Sequence, residues 1–303
     1  MTENSIIVDL PDSVELVDGP AGLSLLRLST PVARGELYLQ GAHISAWAPA
    51  GEAEVIWMSK ASMFAPAQPL RGGVPICFPW FGPGRDSSMS PVHGYARLAE
   101  WSLASAEDVD GAVTLVLRLT DADVAGLPGA VKWQHPFELT YQVSFGVELA
   151  VALTVRNTGT EEFVFEEALH TYIAIGDIHQ VRIEGLGGSQ YLDRAPGAAT
   201  ERITQIGSVT FTGETDRLYY SASPASVIDI AGGRRITVAS DGSANTVVWN
   251  PWIAKAAAMP HYGDEEWREI VCLEAANALQ SAVTLNPGAE HTMSAQYAVD
   301  HSI

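Results

Sequence analysis

The stretch that decides the fold is Ala112-Val-Thr-Leu-Val-Leu-Arg-Leu119. Val113, Leu115, Leu117 and Leu119 recur at every second position, which puts them on one face of an extended strand and leaves Thr114, Val116 and Arg118 on the other. Just ahead of it, Val109-Asp-Gly-Ala112 carries the Asp-Gly pair favoured in two-residue hairpin loops. The same pattern spreads outward over 23–28, 35–38, 137–145, 149–155, 162–165, 180–183, 208–211, 235–239, 246–249 and 291–299, all short and rich in β-branched or aromatic residues. Turn residues separate them at Asn157-Thr-Gly159, Ala231-Gly-Gly-Arg234, Ser240-Asp-Gly-Ser243 and Asn286-Pro-Gly288. The Asp-Gly and Asn-x-Gly pairs are expected at hairpin tips. Helix signals are few: Glu265–Arg268 suits a single turn, and 121–129, with its glycines and proline, reads as a loop. So many short strands predict an all-β fold, a large antiparallel β-sandwich. No linker rich in Pro, Ser or Gly divides the chain, so 1–303 is expected to be a single domain, with 1–20 a peripheral N-terminal segment.

The chain has 303 residues, 47% hydrophobic and 17% charged, values of a folded protein with a sizeable core. Its formal charge is −19, from 36 acids against 17 bases. That balance argues against a nucleic-acid partner, which would need a basic face. No run of about 18 apolar residues suggests a membrane helix, and the first residues lack the basic and apolar regions of a signal peptide. The cytoplasm is the expected compartment, and a monomer or weak homo-oligomer the expected state. Cys77 and Cys272 lie in apolar strand-like runs and read as buried reduced thiols.

Chemistry-bearing residues gather in four islands. In Leu70-Arg-Gly-Gly-Val-Pro-Ile-Cys-Phe-Pro-Trp-Phe-Gly-Pro83, Arg71 precedes two glycines that predict a tight bend open to a ligand, and Pro75–Trp80 is apolar enough to line a floor. The run is not a phosphate loop, since it lacks the lysine and the glycine spacing. Arg71 is equally consistent with an arginine at the core edge paired to a carboxylate. In His93-Gly-Tyr-Ala-Arg97, the imidazole can donate to a hydroxyl and the guanidinium can grip a phosphate or carboxylate through paired hydrogen bonds, or both can anchor the loop. In Glu166–Asp177, a strand would put Glu166, Ala168, His170 and Tyr172 on one face; a lone strand histidine is more often structural. In Ile270-Val-Cys-Leu-Glu274, a carboxylate within an apolar run is costly unless paired or wet, and burial would raise its pKa into a useful range. Trp249-Asn-Pro-Trp252 offers two indoles around a rigid turn, a platform for a sugar's apolar face. The eight histidines show no metal-ligand spacing and there is no Gly-x-Ser-x-Gly elbow, so neither a metal nor a nucleophilic hydrolase is indicated.

Taken together, Gly41–Trp47 (GAHISAW), RGGVPICFPWFG, HGYAR, ALHTYIAIGD, Tyr191–Arg194 (YLDR), VVWNPW and CLEAAN resemble the aldose 1-epimerase (mutarotase) superfamily, and within it the hexose-6-phosphate mutarotase, or glucose-6-phosphate 1-epimerase, branch. Seven motifs in family order span nearly the whole chain. The resemblance implies a galactose mutarotase-like β-sandwich, no metal and no cofactor. It also implies a small sugar phosphate as ligand, with interconversion of its α and β anomers as the activity. By the same resemblance Glu274 is the general base and His170 the general acid. Arg71 and Arg97 hold the phosphorylated sugar, and His93 and Asp193 contact it; Trp249, read from the two-indole turn rather than from the resemblance, is the further substrate-binding candidate. Glu166, Glu167 and Asp193 are the candidates to orient His170. One position departs: Val92 stands where members of this branch often carry Gln before the histidine, which removes a hydrogen bond to the sugar. Two other readings are a mutarotase for unphosphorylated aldoses and a non-catalytic sugar-phosphate-binding regulatory protein.

Overall fold

The decisive stretch forms a strand, Ala112–Thr120, paired antiparallel to Ser102–Val109 and to Phe137–Phe145. The structure, a computed structural model, describes residues 8–303. Val113, Leu115, Leu117 and Leu119 are all fully buried. Asp110 and Gly111 have φ of 54° and 84°, the left-handed pair that closes a two-residue hairpin. The sheet continues through Leu149–Asn157, Glu290–Asp300, Arg234–Asp241, Ala225–Asp229, Val181–Glu184 and Val209–Thr210 to nine strands among the described residues. Along its central strands, such as Phe137–Phe145 and Leu149–Asn157, buried and less buried residues alternate, as in an antiparallel sheet with one face on the core.

A second sheet of eight strands faces the core. Its path runs Ile203–Thr204, Gln190–Asp193, Thr215–Tyr219, Asn245–Asn250, Ile270–Asn277, Glu167–Leu169 and Ile76–Cys77, and Tyr172–Ala174 also pairs with Ile270–Asn277. Every residue of Asn245–Asn250 and of Ile270–Asn277 is buried. These central strands are covered on both faces, so alternation vanishes from their sequence. Val271, Leu273 and Ala275 join the large core shared with the nine-stranded sheet. Ala276, on the opposite face, joins a small cluster with Cys77, Phe81, Ala168, Leu218 and Val247. Cys272 and Glu274 share that second face by the two-residue period. A four-stranded sheet built from Val14–Asp18, Ser24–Ser29, Ala33–Tyr38 and His43–Pro49, and a two-stranded pair of Phe163–Phe165 with Val283–Leu285, complete the architecture among the described residues. Within the expected peripheral segment 1–20, Val14–Asp18 is therefore the edge strand of a sheet, and 1–7 lie outside the described residues.

Several sequence expectations need correction. Asp241-Gly242 is not a hairpin tip: it carries the chain from Arg234–Asp241 in one sheet to Asn245–Asn250 in the other. Asn157-Thr-Gly159 and Asn286-Pro-Gly288 likewise join strands that do not pair with each other. Turn chemistry fixes a bend, not which sheet receives the next strand. Asp121–Val124, expected as loop, is one helical turn, closed by the Asp123 carboxylate accepting from the Thr120 backbone N–H at 2.7 Å and from its hydroxyl at 2.7 Å. Trp252–Ala258 is a helix the turn-based reading missed. No helix among the described residues is long and apolar enough to cross a membrane.

Candidate active site

Strand register brings the imidazole and the carboxylate together. Leu169 pairs with Ala275 and Tyr172 with Cys272, and because these two short pairings share one antiparallel register, His170 between them falls across from Glu274. Side chains so placed are immediate neighbours on one face. His170 Nδ1 lies 3.3 Å from Glu274 Oε1, and the two residues are 8% and 2% exposed. His170 is not within a ladder as the sequence suggested; it sits between Glu167–Leu169 and Tyr172–Ala174, its backbone N–H donating to the Pro75 carbonyl. Tyr172 stacks on the imidazole at 4.8 Å and 8° between planes, and Trp249 meets it edge-on at 5.9 Å. These rings, with Glu274, orient His170. The acids expected to do so are engaged elsewhere: Glu166 accepts from the Phe81 and Leu279 backbone, Glu167 from Asn277 and His291, and Asp193 from Ala195 N–H.

Both groups open onto a cavity of about 340 Å³, within the range of small-molecule sites. Arg71, His93, Arg97, His170, Trp249 and Glu274 line it, so six of the seven expected site residues meet there. Asp193 does not. Its carboxylate lies 3.5 Å from Arg217 Nε, while the next residue, Arg194, lines the cavity together with Asp216. Arg194 follows directly on the strand Gln190–Asp193, and successive side chains along an extended chain face opposite sides, so it is Arg194 and not Asp193 that lines the cavity. Lys255, on the Trp252–Ala258 helix, is a further lining residue that the sequence reading missed. Trp252 itself is no sugar platform: it packs against Trp267 at 4.5 Å and His179 at 5.3 Å.

Electrostatics sets the site apart from its protein. In a chain of net charge −19, the cavity gathers the cations Arg71, Arg97, Arg194 and Lys255 against the carboxyls Asp216 and Glu274. Lys255 pairs with Glu214 at 2.7 Å, and Arg194 lies 3.9 Å from Asp216. Arg71 and Arg97 have no carboxylate partner among the described residues, and the buried Nε of each lacks a hydrogen-bond acceptor. The expected alternative, an Arg71 paired to a carboxylate, is therefore not what the structure places there. Arg97 donates through Nη2 to the Val92 carbonyl, so Val92 shapes the site through its backbone while its apolar side chain lines the wall. Guanidiniums without a carboxylate partner at a cavity are ready-made partners for an anion with several oxygens.

Burial lifts the Glu274 carboxyl well above the usual carboxylate range, with a further rise from Asp216. Burial, then the charges of Arg97 and Arg71, push the His170 imidazole down to about 3. Both shifts run the same way: burial favours the neutral forms of Glu274 and His170 over an ion pair, because two neutral groups are easier to bury than two ions. His93 is likewise held well below its ordinary value by burial and Arg97. Its Nδ1 accepts the Gly82 backbone N–H at 3.1 Å, which leaves Nε2–H as the donor. Gly72 and Gly73 do make the expected tight bend, with φ of 107° and 67°, but what approaches them is protein. A Cβ on Gly72 would stand 2.5 Å from the Trp57 carbonyl, and one on Gly73 2.1 Å from His43 Nε2. Cys77 and Cys272 are free and buried, the former 3.3 Å from His93 Nδ1. His170, Cys272 and Glu274 put a nitrogen, a sulfur and an oxygen within 4.8 Å of one another, a donor set a metal could use only by displacing the imidazole–carboxylate contact.

Comparison with known proteins identifies the family and the fold. Residues 24–298 match the Aldose 1-epimerase family. A relative from Escherichia coli K12 named "Putative glucose-6-phosphate 1-epimerase" is 37% identical over 261 residues, 86% of this chain and 85% of the relative. One of the same name from Cenchrus ciliaris is 35% identical over 91% of this chain and 84% of its own. Among solved structures, a "putative mutarotase" from Salmonella typhimurium superposes with TM-score 0.82 at 29% identity, covering 94% of this chain and 96% of that one. A galactose mutarotase-like protein from Lactobacillus casei shares the fold at TM-score 0.69 and 14% identity, covering 91% and 100%. Fold and relatives define an isomerase on a galactose mutarotase-like β-sandwich. The chain belongs to the aldose 1-epimerase family.

Proposed function

We propose that this enzyme interconverts the α and β anomers of a hexose 6-phosphate, glucose 6-phosphate first among them. The observation that carries the reading is a buried imidazole and carboxylate 3.3 Å apart in a cavity whose wall also presents two uncompensated guanidiniums. The names of the relatives from Escherichia coli and Cenchrus ciliaris support the same substrate.

In this mechanism Glu274, as carboxylate, takes the proton from the anomeric hydroxyl. The C1–O5 bond breaks as C1 becomes an aldehyde, and His170, as imidazolium, protonates O5. Rotation about C1–C2 presents the other carbonyl face. O5 then returns its proton to His170 and attacks C1, while the carbonyl oxygen recovers the proton from Glu274. Ring opening thus converts the ionic pair into the neutral pair and closure reverses it, so no proton need enter from solvent. Each positioned group typically contributes roughly 10²–10⁴-fold. Arg71 and Arg97, with Arg194 beside them, hold the phosphate. His93 Nε2–H donates to a hydroxyl, and Trp249 covers an apolar sugar face.

Exchange NMR on the anomeric protons of glucose 6-phosphate tests the reading. Enzyme-dependent exchange that exceeds the exchange of glucose at equal concentration is expected. Exchange no faster than in enzyme-free buffer would reject it.

A further inference from the structure

The cavity contains a conflict that its ligand can resolve. Ring opening requires the ionic form of the pair, imidazolium at His170 and carboxylate at Glu274. The walls around His170 are already cationic: Arg71 and Arg97 lack carboxylate partners among the described residues, Arg194 has only a 3.9 Å contact with Asp216, and the neighbouring imidazole, His93 at 5.3 Å, itself feels the charge of Arg97. Tyr172, stacked on His170, offers no negative charge, because burial drives its hydroxyl to ionise only at very high pH. A further positive charge at position 170 is therefore opposed by like charges until an anion lies among the guanidiniums.

We propose that occupation of the arginine cluster by a dianion arms the His170–Glu274 pair, so that a detached oxyanion such as phosphite confers on this enzyme mutarotase activity toward unphosphorylated hexoses. This rests on the hexose 6-phosphate reading and extends it: the phosphate holds the sugar and also sets the protonation of the acid. Three observations support it. Arg71 and Arg97 both line the cavity and neither has a carboxylate partner among the described residues, so an oxyanion there meets two guanidiniums with no competing carboxylate. The same two cations are the largest charge effects holding His170 neutral, down at about 3. And the one proton of the pair need only move from Glu274 to His170, across 3.3 Å, for the ionic form to appear. Neutralising part of the cationic wall raises the imidazolium population about tenfold for each pKa unit regained. No atom of the anion enters the reaction; the proton balance is that of ring opening and closure.

The experiment follows exchange between α- and β-glucose labelled at C1, with and without the intact enzyme, as sodium phosphite is raised at constant ionic strength, and glucose 6-phosphate exchange in parallel. Expected is an enzyme-dependent glucose rate that rises saturably, by about tenfold or more, over the range in which phosphite competes with glucose 6-phosphate. The response should be absent in Arg97→Met. If phosphite competes with glucose 6-phosphate but leaves the glucose rate unchanged, the cluster binds without arming, and the inference fails while the substrate reading stands. If glucose 6-phosphate itself is not turned over, the substrate reading fails first and the inference falls with it.

Discussion

Replacing Arg97 with methionine separates phosphate binding from sugar chemistry. Arg97 belongs to the short turn Ala96–Leu98, and its guanidinium makes one protein hydrogen bond, to the Val92 carbonyl, while Nε has none. Methionine keeps the unbranched stem and removes the charge. A hydrogen bond to a charged group contributes about 1.5–3 kcal/mol, so loss of one phosphate contact should lower kcat/KM for glucose 6-phosphate by about 10- to 150-fold. For glucose, which has no phosphate to lose, the change should stay within about threefold at the same acid–base pair, or rise where the cation no longer opposes a charged His170. The fold should not suffer. Burial lowers the pKa of Arg97, which means the protein tolerates this cation at a cost, and methionine removes that cost while leaving one carbonyl without its donor. The assay is anomer exchange by NMR with both sugars, beside a thermal melt. Equal losses on the two sugars, or a change under about threefold on the phosphate, would refute the phosphate role.

Three further outcomes follow from particular contacts. Gly94→Ala should be severely destabilising in urea unfolding, because φ is +72° and a Cβ would stand 2.0 Å from the Phe78 carbonyl oxygen; Gly188→Ala, at φ +85° with nothing within 4 Å, should cost only the left-handed strain of roughly 1–2 kcal/mol, and similar losses at both sites would disprove the packing account. His43 is buried and held down at about 3, mainly by burial and secondarily by Arg97, so between pH 6.5 and 3 the unfolded chain binds the proton and the folded one does not. Stability should thus fall as pH drops through 6.5, and His43→Gln should remove about 2 kcal/mol of the loss between pH 7 and 5; an unchanged pH dependence would contradict it. Arg194→Met should weaken glucose 6-phosphate turnover while Asp193→Asn leaves it nearly unchanged, since only the former lines the cavity; the reverse order would overturn the assignment.

Much of this was legible in the chain, unevenly. Alternation at Val113, Leu115, Leu117 and Leu119 marks a sheet with one covered face, and Asp110-Gly111 marks its hairpin. Alternation fails at Ile270–Asn277, where both faces are buried, yet that failure exposes Glu274 as an anomalous acid in an apolar run. Nothing local says that His170 stands opposite it, because register between strands about a hundred residues apart is a property of the whole sheet. In the YLDR island the resemblance points to Asp193, whereas side-chain parity puts Asp193 on the face of Tyr191, which is 7% exposed, and the following Arg194 at the cavity. The helix at Trp252–Ala258 did have a signal, a proline ahead of an alanine-rich run, which the neighbouring Trp-Asn-Pro-Trp pattern obscured.

The central claim is that His170 and Glu274 pass protons to and from the same sugar ring, and it is tested most directly by the anomer exchange rate of glucose 6-phosphate in His170→Asn and Glu274→Gln, each shown by its melt to be folded. The account predicts that each substitution lowers the enzyme-dependent rate by about 10²–10⁴-fold. Near-wild-type exchange in either variant would contradict it.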